Sequence, residues 1–232
     1  MDYQNSKAGI FLCRPNRFIA QVDVDGTIET CHVKNTGRCR ELLLPGATVL
    51  LEECRGEKRK TKFDLIAVYK GQRLINMDSQ IPNKVFAEWV GKGNLFSPNA
   101  TLRPEVRFGN SRFDFFIEDG ARKAFVEVKG VTLEEEGVAL FPDAPTERGV
   151  KHLQELCRAA KDGFEAYAVF IIQMDGVRYF TPNAKMHKAF SDALHTAKKT
   201  GVQILALDCA VTEKGITAQN PVEVCLVEGE PL

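Results

Sequence analysis

The stretch from Ser111 to Lys129, SRFDFFIEDGARKAFVEVK, constrains the fold more than any other. Two runs of alternating apolar and polar residues flank a polar turn containing Gly120, which is the pattern of a β-hairpin. With Gly120 and Ala121 at the turn centre, Glu118 pairs with Lys123, Phe116 with Phe125, Asp114 with Glu127, and Arg112 with Lys129. The opposite face then carries only Phe113, Phe115, Ile117, Ala124, Val126 and Val128, so a one-residue slip of either strand would put charges into the core.

In that register the Cβ atoms of Asp114 and Glu127 lie about 4.5–5.5 Å apart, and like charges so placed destabilise a sheet. A divalent cation between them would remove the repulsion. Mg²⁺ (or Mn²⁺) suits the site, because Mg²⁺ is held by one or two carboxylates while keeping waters that substrate oxygens can displace. Lys129 shares the face two residues on, where an ammonium can orient water or neutralise charge developing on a phosphate. Asp114, Glu127 and Lys129 are therefore the candidate catalytic residues, with the two carboxylates as metal ligands. Their spacing resembles the layout of the PD-(D/E)XK nucleases. The bland alternative is that Arg112, Asp114, Glu127 and Lys129 form an alternating-charge quartet on a solvated face, since so short a pattern also arises by chance.

The chain of 232 residues is long enough for one large domain or two small ones, with 44% hydrophobic and 27% charged residues. Its 31 basic and 31 acidic residues cancel, so DNA binding would have to come from local patches rather than bulk charge. Seven cysteines, at 13, 31, 39, 54, 157, 209 and 225, are scattered and never spaced as C-x-x-C, which points to reduced, mostly buried thiols. The N-terminus lacks the pattern of a signal peptide and no apolar run approaches the ~20 residues of a membrane span, so the expectation is a cytoplasmic protein with no membrane partner.

From Gly9 to about Ser79 the sequence reads as short strands separated by turn signals such as Asp25-Gly26, Pro45-Gly46 and the charged loop tip Arg55 to Lys60. About five such strands suit a small OB-like barrel, a form that often binds oligonucleotides. Within it, HVKNTGRCRELLLPG gathers His32, Asn35, Thr36, Gly37, Arg38 and Arg40 before an apolar run, a set able to surround a phosphate. Equally, it reads as a loop in which Asn35 or Thr36 caps a short helix and Arg38 is merely solvated. Pro82 disfavours helix at Ile81, so Asn83 is the expected cap of a helix presenting Val85, Trp89 and Val90. Glu88 on that helix is a candidate third metal ligand, or else a surface residue.

Beyond the hairpin, a proline-punctuated loop from Phe141 to Pro145 leads into a helix starting near Thr146 or Glu147. Arg148, Lys151 and His152 occupy its opening turns, where a helix N-terminus favours anions. The same helix could simply be amphipathic, with Val150, Leu153, Leu156 and Cys157 as its core stripe. EAYAVFIIQM and VQILALDCAVT read as strands buried on both faces, with a helix from Ala189 to Thr200 between them. The expected class is α+β or α/β: residues 1–82 as an OB-like barrel, residues 83–232 as a mixed-sheet PD-(D/E)XK nuclease-like domain. The tail after Asn220 reads as a last strand or as loose beyond Val227.

Taken together, HVKNTGRCRELLLPG, DSQIPNKV, FGNSRFDF, FVEVKGVTL and FPDAPTERGVKHLQEL resemble the signature blocks of the sugar fermentation stimulation protein family, from about Cys13 to about Cys209. The resemblance implies the same two-domain architecture, DNA binding without strong sequence preference and a link to the use of sugars, notably maltose. It carries the nuclease-like positions to Asp114, Glu127 and Lys129, and less directly to Glu88. Candidate nucleic-acid contacts are His32, Asn35, Arg38, Arg112, Arg148, Lys151 and His152. Three functions follow as expectations: a Mg²⁺-dependent phosphodiesterase acting on single- or double-stranded DNA, a non-catalytic DNA-binding regulator of sugar metabolism, or a metabolite sensor with a ligand in the barrel. Many nucleases cut both strands as dimers, so a homodimer is among the expected arrangements, although no stretch marks an interface.

Overall fold

The computed structural model describes residues 1–35, 37–54 and 59–226. Thr36, the loop tip from Arg55 to Lys58 and the tail from Val227 onward, each singled out in the sequence, lie outside the described residues.

Strands β1 (Ser6–Asn16), β2 (Ile19–Val24), β3 (Thr27–Val33), β4 (Thr48–Glu53), β5 (Phe63–Lys70) and β6 (Arg73–Asn76) form one sheet in the order β3-β2-β1-β4-β5-β6. An additional parallel pairing of β3 with β5, from Cys31–Phe63 to Val33–Leu65, closes the first five into an OB-like barrel. Closure removes the open edges that five short strands would otherwise expose. Asp25 and Gly26, both with positive φ, make the expected tight turn between β2 and β3. Residues 40–46 contain turns and no helix, so the short helix considered there does not form.

The second part is built on a nine-stranded mixed sheet, order β10-β11-β13-β15-β14-β12-β9-β8-β7. Its strands are β7 (Thr101–Phe108), β8 (Ser111–Asp119), β9 (Arg122–Val131), β10 (Leu133–Glu135), β11 (Val138–Phe141), β12 (Glu165–Ile172), β13 (Tyr179–Pro182), β14 (Gln203–Thr212) and β15 (Gly215–Val224). Helix α1 (Ile81–Gly91) packs on one face, with Phe86 against Phe115 at 5.6 Å between ring centroids. Helices α2 (Glu147–Lys161) and α3 (Ala184–Thr200) cover the other, Leu153, Leu156 and Phe190 joining Phe116, Phe125 and Phe170 in one core. With helices on both sides, the central strands are apolar throughout: β12 is buried from Ala166 to Ile172.

Two helix starts differ from the sequence reading. Helix α1 begins at Ile81, after a Gln80 cap, with Pro82 inside its first turn. A proline is tolerated there because first-turn N–H groups have no intrahelical acceptor to lose. Asn83 is thereby a helical residue and its side chain is released from capping. Helix α3 starts at Ala184 behind an Asn183 cap, five residues before the expected Ala189, with a kink at His187, and ends as expected at left-handed Gly201. Helix α2 starts where expected, the Thr146 hydroxyl accepting from the Gly149 N–H.

Candidate active site

The β8–β9 ladder runs in the register derived from the sequence, through Asp119–Arg122, Glu118–Lys123, Ile117–Ala124, Phe116–Phe125 and Phe115–Val126. It stops there, so Asp114 and Glu127 are not a ladder pair. On its other side β8 pairs with β7 at Pro104–Phe115 and again at Val106–Phe113, skipping Glu105 and Asp114. Glu105 has φ of 58°, a left-handed conformation that a non-glycine residue seldom adopts. Around this irregularity the strict alternation of β8 fails: Phe115 packs toward α1, whereas Phe113 packs on Phe125 and, edge-on, on His152 of α2. Phe113 is therefore not on the face shared by Phe115 and Ile117 that regular alternation assigns it.

The parted strands give Asp114 its place. Its Oδ2 accepts from the Val128 N–H at 2.8 Å, and its Oδ1 accepts from the Asn83 side-chain amide at 2.9 Å. Burial, and next the neighbouring Glu127 carboxylate, hold the Asp114 carboxyl above its ordinary pKa, against the lowering effect of those two hydrogen bonds. Glu127 is only 4% exposed. Burial by itself would raise its pKa, but hydrogen bonds from His152 and Lys129 and the Lys129 charge outweigh it and hold Glu127 below the usual value. Both contacts fall on one oxygen, Oε1, which receives the Lys129 ammonium and Nδ1 of His152. Arg148 Nε donates to His152 Nε2 at 3.4 Å, so Nδ1 is the nitrogen whose proton faces Glu127. Oε2 of Glu127 is buried and has no hydrogen-bond partner among the described residues.

An orphaned buried carboxylate oxygen beside a second carboxylate fits a hard divalent cation such as Mg²⁺, which takes oxygen ligands from one or two acidic side chains. Asp114 and Glu127 are the residues that would hold it. Glu88 is not brought to them: it is exposed, and its carboxylate pairs with the Met1 ammonium at 2.6 Å. Among the described residues no group of three or more His, Cys, Asp and Glu side chains is gathered as a metal cage. The contribution of α1 to the site is Asn83, which the sequence presents as a helix cap and whose site role no spacing pattern announces.

The candidate nucleic-acid contacts divide. Arg148 and Lys151 are exposed on the first turns of α2, next to the site. Asn35 and Gly37 line a cleft of about 330 Å³ that also borders Gly130, the residue after Lys129, and Thr146 at the head of α2. Arg38 is exposed on the same loop. His152, expected among the phosphate contacts, is instead buried against Glu127, because the apolar stripe of α2 rotates it inward beside Leu153. Arg112 turns to Glu105, with Nε to Oε2 at 2.5 Å, and His32 lies against the buried Asp64 carboxylate at 3.4 Å. Neither is presented as an unengaged cation.

The architecture defines the class: a closed OB-like barrel followed by a mixed α/β sheet carrying two carboxylates and a lysine where its β8–β9 hairpin parts. A family model described as "SfsA N-terminal OB domain" matches residues 12–77, and one described as "Sugar fermentation stimulation protein RE domain" matches residues 80–215. The chain belongs to the sugar fermentation stimulation protein family. Sugar fermentation stimulation protein homologs from Desulfitobacterium hafniense (strain Y51) and Ruminiclostridium cellulolyticum are 66% and 58% identical to it, over 99% and 97% of this chain and 100% of each relative. The solved structure of Pyrococcus furiosus SfsA in complex with Ca²⁺ superposes with a TM-score of 0.87 at 31% identity, over 97% of both chains.

Proposed function

We propose that this protein binds DNA with little sequence preference and hydrolyses phosphodiester bonds in a Mg²⁺-dependent reaction, Mn²⁺ substituting, at Asp114, Glu127 and Lys129. The observation that carries the reading is the buried, unpartnered Oε2 of Glu127 beside a carboxylate whose pKa is raised, with an ammonium two residues along the same strand. A divalent cation bound there would supply positive charge to a phosphate oxygen and lower the pKa of a water at the site. The Pyrococcus furiosus relative is described in complex with Ca²⁺, a hard cation like Mg²⁺, which supports this reading.

The residues of this chain have separable tasks. His152 fixes Glu127 through Oε1, so that Oε2 is the oxygen presented. Asn83 and the Val128 N–H fix both oxygens of Asp114. The Lys129 ammonium provides a positive charge near the oxygens on which negative charge grows as the nucleophile attacks phosphorus. Arg148 and Lys151, exposed beside the α2 N-terminus, hold flanking phosphates.

A second reading, a non-catalytic DNA-binding regulator of sugar metabolism, is favoured by one observation: Lys129 is already engaged by Glu127. Incubating purified protein with single-stranded, duplex and branched DNA, in Mg²⁺, Mn²⁺ or chelator, separates the two. Metal-dependent cleavage of any form supports the enzyme; binding with no cleavage of any form supports the regulator.

A further inference from the structure

Phe18 closes the turn between β1 and β2 and is 45% exposed, and the Arg17 guanidinium lies over its ring, 4.8 Å from the centroid. This turn is held firmly. The Phe18 N–H donates to Asn16 Oδ1 at 2.9 Å, and its carbonyl accepts from the Val33 N–H at 2.7 Å. Arg14 then ties the turn to the loop after β3: Nη2 donates to the carbonyls of Arg17 and Asn35 at 2.6 Å, and Nη1 to those of Gly37 and Arg38 at 2.9 Å. One guanidinium spanning four carbonyls makes turn and loop a single unit. Its surface presents Arg17, Arg38 and Arg40 as exposed cations, against the half-buried carboxylates of Glu41 and Asp143.

The same loop forms a wall of the cleft that Gly130 and Gln173 also line. A volume of about 330 Å³ is at the small end of ligand pockets and accommodates a nucleotide-sized group, not a duplex. Phe141 and Pro142 give the cleft an apolar side and Thr132 a polar one. In a duplex both faces of each base are covered by its neighbours. An exposed ring paired with an arginine plane therefore finds a stacking partner only in an unpaired base.

We propose that the nucleic acid recognised by this chain is single-stranded, and that it runs from a base stacked on Phe18, past Arg38, into the cleft lined by Asn35 and Gly130. The proposal rests on the DNA-binding reading above and assigns its substrate form and its stacking platform. The test is fluorescence anisotropy with labelled oligothymidylate and with a duplex of equal length, both in chelator so that nothing is cleaved. Phe18→Ala is expected to weaken oligothymidylate binding about tenfold or more and to leave duplex binding within about twofold, while Phe18→Trp retains wild-type affinity. Because Phe18 is exposed, the alanine variant should melt with wild type, which the same samples can verify. Equal losses on both DNA forms, or no loss on oligothymidylate, would overturn the stacking path and leave the DNA-binding reading standing. Failure of wild type to bind either form would overturn that reading, and this proposal with it.

Discussion

His152 in α2 and Glu127 in β9, 25 residues apart in sequence, meet inside the core of the second domain, where Nδ1 of the imidazole donates to Oε1 of the carboxylate. Both side chains are nearly sealed from water. The contact fastens the covering helix to the strand that carries Glu127 and Lys129, and it determines which Glu127 oxygen is left over. Removing the imidazole leaves a buried carboxylate short of a donor, a loss of about 2 kcal/mol. For a chain of this size His152→Ala should lower Tm by about 4–8 °C. It should also weaken Mg²⁺ uptake measured by calorimetry, because Glu127 is no longer held. Unchanged metal affinity in a folded His152→Ala protein would show that the contact is purely architectural.

The two carboxylates should respond to pH in opposite senses. Burial and the Glu127 charge raise the Asp114 pKa, so the corresponding stability is fully present below the unfolded value and is lost as pH rises through the folded one. Asp114→Asn gives up one acceptor at every pH but carries no charge, so in chelator it should gain on wild type steadily from pH 3 to pH 7. Glu127, whose pKa is lowered by His152 and Lys129 despite burial, contributes stability above the ordinary carboxylate range that is lost as pH falls through its folded pKa. Glu127→Gln should therefore fall further behind wild type over the same rise in pH. Thermal melts of the three proteins across that range check both signs, and parallel trends would contradict the assignment.

Salt dependence reports the phosphate contacts. Each basic side chain removed from the DNA surface should reduce the log–log salt slope by about 0.9 on duplex or about 0.7 on a single strand. Arg38→Ala, Arg148→Ala and Lys151→Ala are expected to do so, since all three are exposed beside the cleft or the site. Arg112→Ala is expected to leave the slope unchanged, because Arg112 is occupied by Glu105. Slopes unaffected by the first three would place the DNA surface elsewhere.

The contrast between Arg148 and Arg112 also marks how far the sequence could be read. Hairpin register was legible because period-two alternation and a polar turn admit a single pairing with an apolar face. Barrel strands were legible for the same reason, their turn residues falling between runs of alternation. What escaped was set by tertiary contacts. The departure at Asp114 lies opposite Glu105, whose positive φ is a conformation that residue type does not advertise. Edge strand β7 contains Pro104, which argues against a strand except at a sheet edge, and the edge is its position. In the sequence Pro82 disfavours helix before it and so makes Asn83 the cap; with the proline inside the first turn, the amide instead reaches Asp114. Glu88 and His152 carried side chains suited to the chemistry, but spacing along a helix could not say which would face the sheet.

The most direct test of a hydrolytic site at Asp114, Glu127 and Lys129 is single-turnover cleavage and DNA binding measured on the same preparations of wild type, Lys129→Met and Asp114→Asn, with Mg²⁺ and with chelator. A charge that acts on the transition state raises the rate more than it tightens the ground-state complex. Lys129→Met should therefore cleave about 10²-fold more slowly or worse while binding DNA nearly as wild type does. Asp114→Asn should lose metal-dependent cleavage, and chelator should abolish that of wild type. Cleavage that persists undiminished in both variants, or a wild type that binds DNA and cuts none of it in Mg²⁺ or Mn²⁺, would contradict the account.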